Sequence, residues 1–195
     1  MSTERKAEIL GVAKRVFAEH GYAKTTMDSI AETAGFTKPI LYNYFSGKGE
    51  IYTEIVTNCA AQLLHALSRA TTDASTPRGR VEAAVGVYFD MLVRETTTFR
   101  ILFLQSQRSE MAGELRGVEL LLTSFIEEQI SIDLDTSHRR QLAAAVVGMA
   151  EGAAISWLIL QETLNWPTPP DDEAQRLARR LATLAWGGLR SVRQD

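Results

Sequence analysis

The sequence predicts an all-α protein. Three observations carry this. The chain of 195 residues is built largely from Ala, Leu, Glu, Arg and Gln, which are strong helix formers. Apolar residues recur along most of it at spacings of three and four, and no stretch alternates convincingly with the period of two that a half-buried strand needs. Its five Pro and thirteen Gly are too few for a disordered chain, and 45% hydrophobic with 23% charged residues is ordinary for a globular protein. About nine helices fit the pattern, divided into an N-terminal three-helix unit over residues 1–47 and a helical bundle over 48–195.

The first helix is predicted over Thr3 to His20, with Ile9, Leu10, Ala13, Val16 and Phe17 inward and Gly21 closing it. After a short connector, Thr26 is placed to cap the second helix through its hydroxyl. There Met27, Ile30, Ala31 and Ala34 fall at i, i+3, i+4 and i+7, one apolar stripe. Gly35 follows where a chain leaves a helix in the left-handed conformation. Phe36 is expected to plug the turn, and Thr37 to cap the third helix. Pro39 lies in that helix's first turn, where its missing N–H costs little. Ile40, Leu41, Tyr44 and Phe45 form its apolar stripe. Two short helices joined by a Gly-containing turn make a helix-turn-helix.

Ser46 to Glu50 interrupts the pattern before a long helix from Lys48 to about Ala70, with Ile51, Ile55, Cys59, Leu63 and Leu67 along one side. A fifth helix is predicted over about 77–94, opened by Pro77, with Val81, Val85, Tyr88, Phe89 and Leu92 inward. Thr96 to Gln107 reads as a short sixth helix. Ser109 to Ile132 reads as a seventh, with Met111, Leu115, Val118, Leu122, Phe125 and Ile126 inward. The eighth, Thr136 to Leu164, is dense in Ala and Gly, so other helices are expected to approach it closely. A rigid turn through Pro167, Pro169 and Pro170 leads to a ninth, whose seam is read as Leu177, Leu181, Leu184 and Leu189 with Arg176, Arg179 and Arg180 outside.

The third helix keeps an outward face once its core positions are removed: Thr37, Lys38, Tyr42 and Asn43. These are hydrogen-bonding side chains with little mutual repulsion, suited to a DNA groove in which phosphates are gripped from the sides and base edges read at the helix start. The same face also suits a plain solvated surface. The net charge of −3 excludes a general nucleic-acid coat protein: residues 1–50 hold seven Lys and Arg against six Asp and Glu, so any DNA surface is local.

Residues 9–55, ILGVAKRVFAEHGYAKTTMDSIAETAGFTKPILYNYFSGKGEIYTEI, resemble the DNA-binding domain of the TetR family of bacterial transcriptional regulators. The resemblance rests on an aromatic after Gly21, Thr25-Thr26 before the second helix, Ala-Gly-Phe in the turn, Leu41-Tyr42-Asn43-Tyr44-Phe45, and Lys48. One departure is Ser46-Gly47-Lys48-Gly49-Glu50, where the family often has Pro-Ser-Lys-Glu-Glu; two glycines imply a softer joint. The resemblance implies that Thr26 and Thr37 touch phosphates and that Lys38 and Pro39 face the major groove. It further implies that Tyr42 and Lys48 hold phosphates, that Asn43 reaches a base or phosphate, and that Tyr44 is chiefly core with its hydroxyl at the DNA backbone. It implies a homodimer through the last two helices, a double-stranded, pseudo-palindromic DNA operator, and an effector pocket in the bundle.

The sequence is vaguer about that pocket. Candidate lining residues are Phe89, Phe99, Phe103, Leu122, Phe125 and Trp157, although each taken alone reads first as ordinary core, with His65, Gln105 and Glu151 as polar anchors. Glu151, a lone acid in an apolar helix, belongs either to the pocket or to the dimer interface. Many hydrophobes and few anchors point to a small, largely apolar effector. With the resemblance this implies a repressor released by it; a DNA-binding dimer governed by a protein partner, or without an effector, is the alternative. No nucleophile–base pair, phosphate loop or metal spacing among His20, His65 and His138 supports an enzyme, a metal or a cofactor. Cys59, the one cysteine, permits no intrachain disulfide and reads as a small buried hydrophobe in a reducing cytoplasm. No apolar leader stands at the N-terminus. Leu142 to Leu160 is the most apolar run, but Glu151 within it argues against a membrane span.

Overall fold

A computed structural model describes residues 2–105, 112–130, 134–163 and 172–192. Among them there are nine α-helices and no strand: α1 Ser2–His20, α2 Met27–Ala34, α3 Lys38–Tyr42, α4 Lys48–Asp73, α5 Pro77–Arg94, α6 Thr96–Arg100, α7 Ala112–Gln129, α8 Thr136–Thr163 and α9 Glu173–Leu189. A π-helical turn, Ile101–Gln105, continues α6. The expectations for Met111 and for the proline-rich turn before α9 lie outside the described residues, as does the Gln105 side chain.

The chain forms two compact units. The first is Met1–Ala60 with Glu95–Arg116; the second is Ala61–Arg94 with Gly117–Asp195. The division expected at residue 47 therefore differs from the compact units, because the first half of α4 and the α6 segment both pack with the N-terminal helices. Burial explains why. Ile51, Tyr52, Ile55 and Val56 of α4 are buried, and Tyr52 meets Phe17 and Tyr22 edge-on, with ring centroids 5.8 and 5.3 Å apart. Phe17 and Tyr22 stack at 5.7 Å. Edge-to-face and offset arrangements favour the ring quadrupoles beyond simple area burial. The α6 segment joins this unit by packing on α1. Lys14 donates to Glu95 at 2.7 Å and Thr98 to the same carboxylate at 2.9 Å. Burial alone raises the Glu95 pKa, but these two hydrogen bonds and the Lys14 charge outweigh it and leave the group below its ordinary value.

In the second unit α9 runs along α5, and Gln175 near its start hydrogen-bonds Asp90 near the end of α5, so the two are antiparallel. The buried face of α9 is not the leucine seam read from the sequence. It is Ala174, Ala178, Ala182 and Ala185, while Leu184 is 64% exposed. Small side chains allow the helix axes to approach, so the alanines take the contact and the leucines are displaced to the flanks. Helix α8 also packs on α5 and α9. By length and composition α8 is apolar enough to cross a membrane, with mean hydropathy 1.8 over its most apolar window. Half-buried Glu151 stands in the middle of it.

Candidate nucleic-acid interface and ligand cavity

The first unit builds an exposed recognition face on a buried frame. Thr26 and Ser29 reciprocate at the start of α2: the Ser29 N–H donates to Thr26 Oγ1 at 3.1 Å and the Thr26 N–H to Ser29 Oγ at 3.0 Å. This capping box satisfies two backbone donors that a helix start leaves free. Met27, Ile30 and Ala31 are buried beneath it. At the far end Gly35 takes φ 69° and ψ 22°, the Phe36 N–H reaches Ala31 O at 2.9 Å, and the Gly35 N–H reaches Glu32 O at 3.2 Å. That pair of bonds is a Schellman closure. The chain thereby turns sharply into α3.

Pro39 stands in the first turn of α3, and Leu41 and Phe45 anchor the segment at 0% and 1% exposure. Thr37, Lys38, Pro39, Tyr42 and Asn43 are all exposed, Tyr42 by 47%. Tyr44, Ile40 and Phe36 are half-buried. The expectation that Thr37 caps α3 through its hydroxyl is corrected: its side chain makes no capping bond, and only its backbone carbonyl enters the helix, accepting from Ile40 at 2.9 Å. The hydroxyl is left to the outward face. Lys38 Nζ pairs with Asp28 Oδ2 of α2 at 2.9 Å, and the Asp28 hydrogen bond and charge raise the ammonium's pKa.

Lys48, read from the sequence as a phosphate ligand, has backbone partners within the fold. Its ammonium donates to the carbonyl oxygens of Tyr22 and Thr25 at 2.8 Å and of Ala23 at 3.3 Å, and lies 4.5 Å from the Tyr22 ring centroid. It ties the start of α4 to the connector between α1 and α2. Hydrogen bonds also span the joint around it. The Ser46 N–H and hydroxyl both donate to Glu50 Oε2, at 2.6 and 2.8 Å, which lowers the Glu50 pKa. Neither Gly47 nor Gly49 takes a positive φ.

The second unit holds a cavity of about 290 Å3 between α5, α7, α8, α9 and the end of α4, lined mainly by Leu67, Val81, Val85, Tyr88, Leu122, Ile126, Val147 and Trp186. Of the lining residues read from the sequence, only Leu122 is there. Phe99 and Phe103 face each other at 5.7 Å inside the first unit instead. Phe89 is core, its ring 5.7 Å from that of Tyr88. His65 is exposed, and Phe125 is half-buried away from the cavity. Trp157 lines a separate groove between α8 and α9, beside Ser156, Leu160 and Leu177. Glu151 lines neither; burial first, and Glu119 of α7 second, raise its carboxyl to about 7. The missed face of α5 did carry a signal, because Pro77, Arg80, Val81, Ala84, Val85 and Tyr88 lie at helical spacing on one side. Among the described residues no group of His, Cys, Asp and Glu is disposed to hold a metal ion.

A capped helix, a Gly turn and a short second helix with an exposed polar face define a helix-turn-helix transcriptional regulator that binds DNA. Residues 9–55 match the family profile described as bacterial regulatory proteins, tetR family. The HTH-type transcriptional activator FasR of Mycolicibacterium smegmatis is 29% identical over 193 residues, 97% of this chain and 84% of that protein. A TetR-like regulator from Rhodococcus sp. RHA1 superposes with TM-score 0.75 at 23% identity, covering 96% of this chain and 97% of that one. Bacillus subtilis FadR in complex with stearoyl-CoA gives 0.74 at 18% identity, covering 93% and 98%. Residues 9–55 thus carry the DNA-binding domain of the tetR family, and the relatives that match most of the chain are named as transcriptional regulators.

Proposed function

We propose that this regulator is a cytoplasmic homodimer that represses transcription from a pseudo-palindromic operator and is released by a small, largely apolar effector. The observation that carries the reading is the outward face of α3, where Thr37, Lys38, Pro39, Tyr42 and Asn43 are all exposed above buried Leu41 and Phe45. Lys38 serves base readout, and Thr26, Thr37 and Tyr42 serve the phosphates, with the Tyr44 hydroxyl beside them. A two-fold dimer spaces two such helices about one DNA turn apart, roughly 34–36 Å. The effector half is supported by the apolar cavity of the second unit and by the stearoyl-CoA bound to B. subtilis FadR, a protein of the same fold. Effector and operator then weaken each other by the same factor, as linkage requires.

Activation is the second reading, favoured by the activator name of the M. smegmatis relative. A mobility shift on DNA upstream of the protein's own gene tests the core of both. Specific, salt-sensitive retardation is expected, and Lys38→Ala relaxes preference at particular bases rather than weakening every site equally. Loss of all sites in equal measure removes base readout from Lys38. A promoter reporter with and without the protein then separates repression from activation.

A further inference from the structure

The cavity of the second unit has one polar end. Helix α5 enters it with Pro77, Arg80 and Val81, α7 leaves it with Gln129 and Ile130, and α9 ends at it with Trp186, Leu189 and Arg190. Because α5 and α9 are antiparallel, the first turn of α5 and the last turn of α9 come together, so Arg80, Gln129 and Arg190 share this end. Deeper along α5 and α7 the lining is Ala84, Val85, Tyr88 and Leu122. Among the described residues no Asp or Glu lines the cavity.

Two other arginines on these helices are engaged by carboxylates. Arg78, two residues before Arg80, pairs with Glu82 at 2.8 Å. On α9, Arg176 is paired with Asp172 and Glu173. Arg80 and Arg190 have no carboxylate partner among the described residues. A guanidinium presents a planar fork that matches carboxylate and phosphate oxygens, and two of them with an amide at the mouth of an apolar cavity make a complementary site for one oxyanion. We propose that the cavity takes an anionic amphiphile, its hydrocarbon body among Val85, Tyr88 and Leu122 and its oxyanion head on Arg80, Gln129 and Arg190.

This rests on the effector reading of the same cavity and adds the charge of the head. A cavity of about 290 Å3 has room for a hydrocarbon chain of medium length. The test is isothermal titration calorimetry of the full chain with decanoate, 1-decanol and decanoyl-CoA. Decanoate or decanoyl-CoA is expected to bind at least tenfold tighter than decanol, and the stronger of the two says whether the head is a free carboxylate or a conjugated phosphate. In the Arg80→Gln, Arg190→Gln double variant the advantage disappears while decanol binding persists, which also shows that the variant is folded. Equal affinity for decanol and both anions in the unaltered protein overturns the anionic head and leaves the apolar effector standing. Binding of none of the three overturns both. If Val85→Trp, which fills the cavity, leaves decanoate binding unchanged, the site lies elsewhere and the proposal fails.

Discussion

Lys48 shows how one side chain changes meaning between sequence and structure. As a lysine at a helix start it reads as a phosphate ligand; in the fold its donors are committed to the carbonyls of Tyr22, Ala23 and Thr25. Lys48→Ala is therefore expected to lower stability by about 1–2 kcal/mol, since carbonyls bonded to a charged donor lose it, and thermal denaturation without DNA checks this. An unchanged midpoint together with weaker DNA binding returns Lys48 to the phosphate role. Such partners were invisible beforehand because backbone carbonyls carry no side-chain signature. The exposed set Thr37, Lys38, Tyr42 and Asn43 was legible, because helical period alone separates it from Leu41 and Phe45. Asp28 was missed as the partner of Lys38, ten residues away across the turn. Asp28→Asn removes a negative charge from the recognition face and frees the ammonium. It is expected to tighten binding to unrelated DNA and narrow the margin for the operator, measured as the ratio of the two affinities at one salt concentration. Glu151 adds a pH dependence. Its folded pKa of about 7 lies above the ordinary carboxylate value. Between those two values the unfolded chain binds fewer protons than the folded one, so stability falls as pH rises through the window. Glu151→Gln is expected to flatten that part of the pH–stability curve and to be the more stable form at pH 8; identical curves for both proteins remove the effect.

At the scale of elements, the helix-turn-helix was readable because its punctuation is local. Thr26 caps, Gly35 closes, and Pro39 opens, each at a position that demands that residue type. Gly35 holds φ 69°, and nothing lies within 4 Å of a Cβ placed there, so the cost of a side chain is conformational alone. Gly35→Ala is expected to cost about 1–2 kcal/mol from the left-handed backbone, seen as a lower urea midpoint with an unchanged slope. A change below a few tenths shows that the turn relaxes. The last helix was misread for the opposite reason. Its contact face is chosen by how closely it approaches α5, and Ala174, Ala178, Ala182 and Ala185 win that position over larger leucines. A pattern weighted by side-chain hydrophobicity ranks leucine above alanine and so points to the wrong face. The cavity of the second unit likewise draws on few of the residues expected to line a pocket. Phe99 and Phe103 look like pocket aromatics until the α6 segment is seen to pack on α1.

For the whole molecule, the displaced leucines set a requirement that one chain leaves unmet. Leu184 is 64% exposed on α9, and Ile159 and Leu160 are 45% and 41% exposed on α8. The same α8 exposes Ala144, Ala145, Gly148 and Gly152, which let another helix approach closely. The groove between α8 and α9, lined by Ala153, Ser156, Trp157, Leu160 and Leu177, continues this surface. An apolar surface of that kind on helices with other faces already packed fits burial against the same surface of a second copy, as the proposed dimer requires. Leu184→Arg tests it without touching the buried alanines, so each chain keeps its fold. The unaltered protein is expected to have twice the chain mass by light scattering, and the variant to shift toward one chain at micromolar concentration. Because a two-fold operator is read by two recognition helices held together, the variant's affinity for the full operator is expected to fall toward that for an isolated half-site, while circular dichroism is unchanged. A variant that remains dimeric moves the interface off α9. A monomer that binds the full operator as tightly as before denies that dimerisation contributes to recognition.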